Sequence, residues 1–169
     1  HLLFVLGLLL LVRGVGPLVK TITAFTIAHS ITLAAAVMGV VTLDRGPVEA
    51  AIALSIVLLA REIVVGYSGH THLVHRRPWL VAFVFGLLHG LGFASVLGEF
   101  GLPRDQFMAA LIGFNVGVEL GQLTVVAIAF ATVSFWFRSH PKYRGRVAIP
   151  ASITIAAIGA YWFVERVFL

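Results

Sequence analysis

The sequence predicts an all-α, polytopic integral membrane bundle of about six transmembrane helices, forming a single domain over residues 1–169. Three observations carry that expectation. The chain is 60% hydrophobic and only 11% charged, with a mean hydropathy of +1.03, whereas soluble globular proteins carry roughly 25% charged residues. A single water-surrounded core in a chain this size could not hide so much apolar surface, so the solvent is lipid. Apolar stretches also recur at lengths near the ~20 residues that a span requires, and the basic residues gather in alternate loops.

The six stretches are 1–12, 20–42, 47–66, 79–98, 106–137 and 147–167. The first, "HLLFVLGLLLLV", is short for a span and starts at His1 with no initiator Met, so it is expected to be the remainder of a truncated one. It could suggest a signal peptide, but no basic region precedes it and no small-residue cleavage site ends it. The fifth stretch exceeds one span and is expected to tilt or protrude. The loops "RGVGP", "LDRGP", "GEFGLPRD" and "RSHPKYRG" are short and punctuated by Gly or Pro. One side of the alternation carries Arg13, Lys20, Arg61, Arg76, Arg77, Arg138, Lys142, Arg144 and Arg146; the other carries only Arg45, Arg104 and Arg166.

That asymmetry places the nine-cation side in the cytoplasm and both ends of the chain outward, in a bacterial inner membrane. The net charge of +5 is therefore a topology signal rather than a nucleic-acid footprint. With no cysteine there is no disulfide framework, thiolate site or redox motif, and Met38 and Met108 alone make a poor Cu(I) pathway.

Polar residues inside the spans bear most directly on function. "AFTIAHSITL" sets Thr26, His29 and Thr32 on one helix face, with Ser30 beside them. "FGLLHGLGFA" puts His89 about halfway through the fourth span, between Gly86 and Gly90. "GFNVGVELGQL" places Asn115, Glu119 and Gln122 on one face of the fifth. A charged Glu at the bilayer centre costs about 2.5 kcal/mol or more, and such groups usually face a functional cavity.

His29, His89 and Glu119 lie at similar depths and could converge near the midplane, with Ser55 joining from the third span. Two imidazoles and a carboxylate suit a divalent cation such as Ni²⁺, Zn²⁺ or Co²⁺. The same set suits a proton relay, or a buried hydrogen-bond network that only fixes helix register. Gly113, Gly117 and Gly121, like Gly86 and Gly90, form small-residue ridges expected to hold their helices inside the bundle or against a partner.

Lesser candidates surround this set. Glu62 follows Arg61, an i,i+1 pair that does not share a helix face, and reads as a snorkelling residue or an exit ligand. Glu49 and Glu99, with Asp44 and Asp105, would make the outer face negative and attractive to cations. "GYSGHTHLVHRRPW" clusters His70, His72 and His75, which reads first as a solvated basic loop and second as a weak metal-collecting site. Enzyme chemistry finds little support. No Gly-rich phosphate loop with Lys is present, "GHTH" is not the zinc-protease pattern, and Ser30 points about 100° away from the adjacent His29 on a helix.

The motifs "AFTIAHSITL", "AIALSIVLLARE", "FGLLHGLGFASVL" and "GFNVGVELGQL", with the opening "HLLFVLGLLLL", resemble the second branch of the HupE/UreJ family over roughly residues 1–125. The resemblance implies a small secondary permease associated with nickel supply to hydrogenase and urease maturation. It carries metal-ligand roles onto His1, His29, His89 and Glu119, beside which Asn115, Gln122, Ser55, Ser30 and Glu62 are read from their own positions as supporting groups. The His-Gly-x-Glu form of the family's better-studied branch stands here as "HGLG". The residues themselves support a divalent cation, and nickel comes from the resemblance. The rival expectation is an accessory subunit of a larger membrane complex, with a membrane-embedded metalloenzyme a fainter third.

Overall fold

The computed structural model describes residues 1–66, 73–99, 107–134 and 142–168, with the backbone alone for 94–99, 107–108 and 133–134. The described chain is helical throughout. Helices α1 (Leu2–Leu11), α2 (Val15–Val37), α3 (Arg45–Gly66), α5 (Pro78–Glu99), α6 (Phe107–Ala129) and α7 (Ile149–Phe168) occupy the six apolar stretches. A one-turn helix, α4 (Leu73–Arg76), interrupts the loop before α5. Helix α6 widens into a π-helical turn at Phe130–Ser134, and a second such turn at Arg144–Ala148 leads into α7.

Proline and glycine explain the boundaries. Pro17, Pro47 and Pro78 all sit in the first turn of a helix, where a missing N–H breaks no intrahelical bond, and Pro150 comes just after the π-helical turn that leads into α7. Helix α2 begins and ends five residues before the 20–42 expected from hydropathy. Gly14 takes φ 96° just ahead of it, and Gly39 takes φ 74° just after it. The left-handed Gly39 donates its N–H to Ala36 O at 3.0 Å and ends the helix, although Val40, Val41 and Leu43 prolong the apolar run.

Three helical stretches are long and apolar enough to cross a membrane by length and composition: Val15–Val37, Ala109–Thr132 and Arg144–Phe168. Helix α3 is long enough but carries Arg45, Glu49, Arg61 and Glu62. The ten residues of α1 rise about 15 Å, roughly half a hydrocarbon thickness. Outward positions are apolar, with Ile27, Ile31, Leu58, Val84, Ile112, Val116, Leu120 and Ile153 all exposed. The polar residues lie within, as expected where lipid is the solvent.

Packing follows the order α7–α3–α5–α2–α6, each helix against the next, with α1 set against α2, α3, α6 and α7. Helix α1 is the hub of the core. Its Phe4, Val5, Leu8 and Leu9 are buried with Ile22, Phe25, Ile56, Leu59, Ala82, Val126 and Ile155. The most extensive contact is between α2 and α5. Gly86 rests on α2 so closely that a Cβ there would fall 2.4 Å from Phe25 O. At Gly90 the added atom would lie 2.3 Å from His29 O and 2.2 Å from Thr32 Oγ1.

The other ridge behaves differently from expectation. Gly113, Gly117 and Gly121 are exposed, and a Cβ at any of them would meet nothing within 4 Å. Four-residue spacing guarantees a shared face but not which way that face turns. Here it turns away from the bundle, because Asn115 and Gln122 on the opposite side bond to α2.

Charges mark the two ends. Lys20 Nζ lies 5.0 Å from the centre of the Trp79 ring, joining the second turn of α2 to the first turn of α5 at the basic end. At the other end Glu49 bridges Arg45 Nε, at 2.6 Å, and Arg166 Nε, tying α3 to α7. Glu49 is thus compensated rather than open to attract cations; Asp105 and the Glu99 side chain lie outside the described residues.

Gly90→Ala is expected to cost about 1–3 kcal/mol through overpacking against the α2 backbone. Gly117→Ala is expected to stay within about 0.5 kcal/mol of the parent or to gain. Thermal unfolding of the detergent-solubilised variants, followed by tryptophan fluorescence, compares the two.

Candidate metal centre

The α2–α5 contact sets the centre. With the backbone of α2 pressed onto Gly86 and Gly90, His29 and His89 both become fully buried. The ring of His1 enters between them from the start of α1. Its centroid is 4.9 Å from that of His29 and 4.8 Å from that of His89, edge to face in each case. Aromatic rings close the surroundings: Phe25 lies 5.2 Å from His89, Phe93 5.6 Å from His29, and Phe4 5.1 Å from His89.

The hydrogen bonds decide which imidazole nitrogen carries the proton. Ser55 Oγ donates to Ile52 O at 2.6 Å, which uses its single proton. The 2.9 Å contact between Ser55 Oγ and His89 Nε2 therefore requires His89 to donate from Nε2, leaving Nδ1 with a bare lone pair. Asn115 Nδ2 donates to Leu111 O at 2.8 Å, which orients its amide and leaves Oδ1 to accept. Oδ1 accepts from Ser30 Oγ at 2.7 Å and from His29 Nδ1 at 3.3 Å, so the free lone pair of His29 is on Nε2. These tautomers are assigned from the network.

His89 Nδ1, His29 Nε2 and His1 Nε2 are all buried without a hydrogen-bond partner. A buried acceptor left in this way normally costs about 1–3 kcal/mol. Three in one aromatic-walled space form a set of neutral nitrogen donors such as borderline divalent cations prefer. The rings nevertheless meet edge to face. Among the described residues no three His, Asp or Glu groups close on one point to hold an ion without movement.

Glu119 lies elsewhere on the polar stripe. Its Oε1 accepts from Thr23 Oγ1 at 3.0 Å, and its Oε2 is buried with no hydrogen-bond partner. Thr23 precedes His29 by six residues on α2, about 9 Å along the axis. The structure therefore brings His1, His29 and His89 together and sets Glu119 apart, toward the Lys20 end. On the same stripe Gln122 Oε1 accepts from Thr26 Oγ1 at 3.2 Å, while Gln122 Nε2 is buried and unpartnered. A ladder of Ser30–Asn115, Thr26–Gln122 and Thr23–Glu119 bonds thus joins α2 to α6.

Thr23, Phe25 and Phe93 did not stand out in the sequence. Thr23 was within reach, because it extends the Thr26–His29 stripe by one further step of three. The aromatic walls are indistinguishable from ordinary core residues until the tertiary contacts are known. Glu62 is buried, and its Oε1 accepts from Arg61 Nη1. The two do not share a helix face, but the long guanidinium stem curls across to reach its neighbour, contrary to the expectation from spacing. His75 lies on α4 against Gly66, while His70 and His72 lie outside the described residues.

Comparison with known proteins adds one finding. The family model described as HupE / UreJ protein matches residues 1–166. The match runs through α7, which carries no distinctive motif of its own. No curated protein and no solved structure matches the chain. The family is associated with transport of a metal ion such as nickel or cobalt, or with an accessory role in it. A match over 166 of the 169 residues, on a helical chain with apolar outer faces and polar side chains buried within its core, means that the chain belongs to the HupE / UreJ family.

Proposed function

We propose that the chain is a six-span secondary permease for a divalent transition-metal cation, with nickel the favoured substrate on family grounds. The observation that carries the reading is the set of three buried, bare imidazole nitrogens on His1, His29 and His89. Ser55 and Asn115 hold His89 and His29 in the tautomers that leave those nitrogens available. Such partners of ligating histidines typically contribute 10–100-fold to metal affinity.

In this reading the basic end, with Lys20 over Trp79, faces the cytoplasm of a bacterial inner membrane, and the Arg45–Glu49–Arg166 end faces outward. The substrate ion reaches the imidazoles first. Small ring rotations turn edge-to-face packing into ligation. Glu119, Gln122 and the α2 hydroxyls then offer oxygen donors along the way to the basic end. The unpartnered Glu119 Oε2 supplies the charge that neutral imidazoles lack.

One observation favours the rival reading, in which the chain is an accessory subunit and the polar ladder only holds α2 to α6. Gly113, Gly117 and Gly121 form an open small-residue face that suits close approach of another membrane helix, from a second copy or from a partner. Purification separates the readings, because a permease carries metal alone and an accessory subunit is metal-free yet partner-bound.

His29→Ala/His89→Ala should abolish stoichiometric Ni²⁺ binding, read by metal analysis of the purified protein, and uptake into proteoliposomes that survives the double change would sink the permease reading. Ser55→Ala should weaken binding by about tenfold or more through loss of the His89 orientation. Glu119→Gln should keep binding within about threefold while slowing uptake by about tenfold or more, the pattern of a group used after the first binding step. Imidazole ligands must be neutral, so bound Ni²⁺ should be held near neutral pH and released as the solution is made acid. A pH titration of bound Ni²⁺ checks that sign.

A further inference from the structure

At the basic end, α1, α2, α3, α4 and the start of α5 enclose a cavity of about 490 Å³. That size falls within the ~300–1,000 Å³ typical of ligand sites. Its floor is apolar, built by Leu10, Leu11, Ile63 and Val74, and its rim carries Arg13, His75 and Arg76. Among the described residues no carboxylate lines it. Neither Arg13 nor Arg76 pairs with an acid among the described residues. Glu62, next in sequence to the lining Ile63, is engaged by Arg61 instead. His75 Nδ1 is buried without a hydrogen-bond partner beside the two guanidiniums.

Such a rim repels the cation handled at the imidazole centre and suits an anion. Guanidinium forks match phosphate oxygens two at a time. The apolar floor would be wasted on a small hydrated ion. It matches acyl chain, and the cavity lies at the end of the bundle that Lys20 and Trp79 mark as an interfacial level. We propose that this cavity binds a phosphate-bearing anion, and that its source is an anionic phospholipid. The phosphate sits between Arg13, Arg76 and His75, and the glycerol and upper acyl carbons lie on Leu10, Leu11 and Val74. Basic pockets between membrane helices commonly take such headgroups. The lipid would bridge α1 to α4, and so the hub of the core to the loop leading into α5. This site stands whether or not the imidazole cluster carries a metal.

The test is native mass spectrometry of the full detergent-solubilised chain, titrated separately with phosphatidylglycerol, phosphatidylcholine and inorganic phosphate. Phosphatidylglycerol should be retained, and phosphatidylcholine should be lost at the same activation energy. R13Q/R76Q should cut phosphatidylglycerol retention by about tenfold or more. A second variant, K142Q/R146Q, removes the same charge at the same end without touching the cavity and should retain lipid like the parent. Both substituted pairs are exposed in part or whole, and an unchanged thermal midpoint in lipid-free detergent verifies folding. Equal retention of phosphatidylcholine, or equal loss in the two variants, overturns the site. Displacement of the lipid by millimolar inorganic phosphate overturns the lipid as its source.

Discussion

The close approach of α2 to α5 is the constraint on which the rest of this bundle depends. Lipid tails are as apolar as leucine, so helices in a membrane gain little from hiding leucine from them and rely on contact and hydrogen bonding. Gly86 and Gly90 allow that contact by removing side chains where the backbone of α2 passes. The same two residues bracket His89, and the α2 carbonyl pressed on Gly90 is that of His29. Packing and site geometry are therefore one feature. Separating the helices by one methyl group would also separate the imidazoles.

A second principle runs through the interior. Every polar side chain placed in an apolar medium must find a partner, and here the nearest one is usually the helix itself. Thr21, Thr26, Ser30, Thr32, Ser55 and Ser152 each donate to a carbonyl three or four residues earlier. Ser55 keeps its lone pairs to accept from His89, while the single protons of Thr26 and Ser30 are shared between that carbonyl and the facing Gln122 or Asn115 oxygen of α6. Against that background, the nitrogens of His1, His29 and His89, the Glu119 oxygen and the Gln122 amide nitrogen are buried without hydrogen-bond partners, as are atoms of Glu62, His75 and Tyr143 elsewhere. They are where the fold has left donor capacity uncommitted.

Much of this was legible beforehand. Six apolar stretches mark six helices, because hydropathy over ~20 residues is a long and redundant signal. Spacing of three and four placed Thr26 with His29 and Asn115 with Glu119 and Gln122, since helical periodicity is local. What spacing does not carry is direction. The glycines of α6 share a face as expected but present it outward, because Asn115 and Gln122 claim the inward side. Glu119 shares that inward side, yet it meets Thr23 rather than an imidazole, because the way α2 and α6 pack decides which α2 side chain it reaches. Glu49 likewise looked like a lure for cations until α7 brought Arg166 to it.

By itself the sequence determined the solvent, the helices, and the residue types that could serve a metal. These are properties of composition and of neighbours along one helix, where geometry follows from a fixed rise and turn. Only the tertiary structure decided that His1, His29 and His89 meet, that Ser55 and Asn115 orient two of them, and that Glu119 stands about two turns away. Those outcomes depend on how far one helix slides and rotates against another. That choice is settled by glycine contacts and hydrogen bonds between residues as much as 96 positions apart, and no local pattern records it.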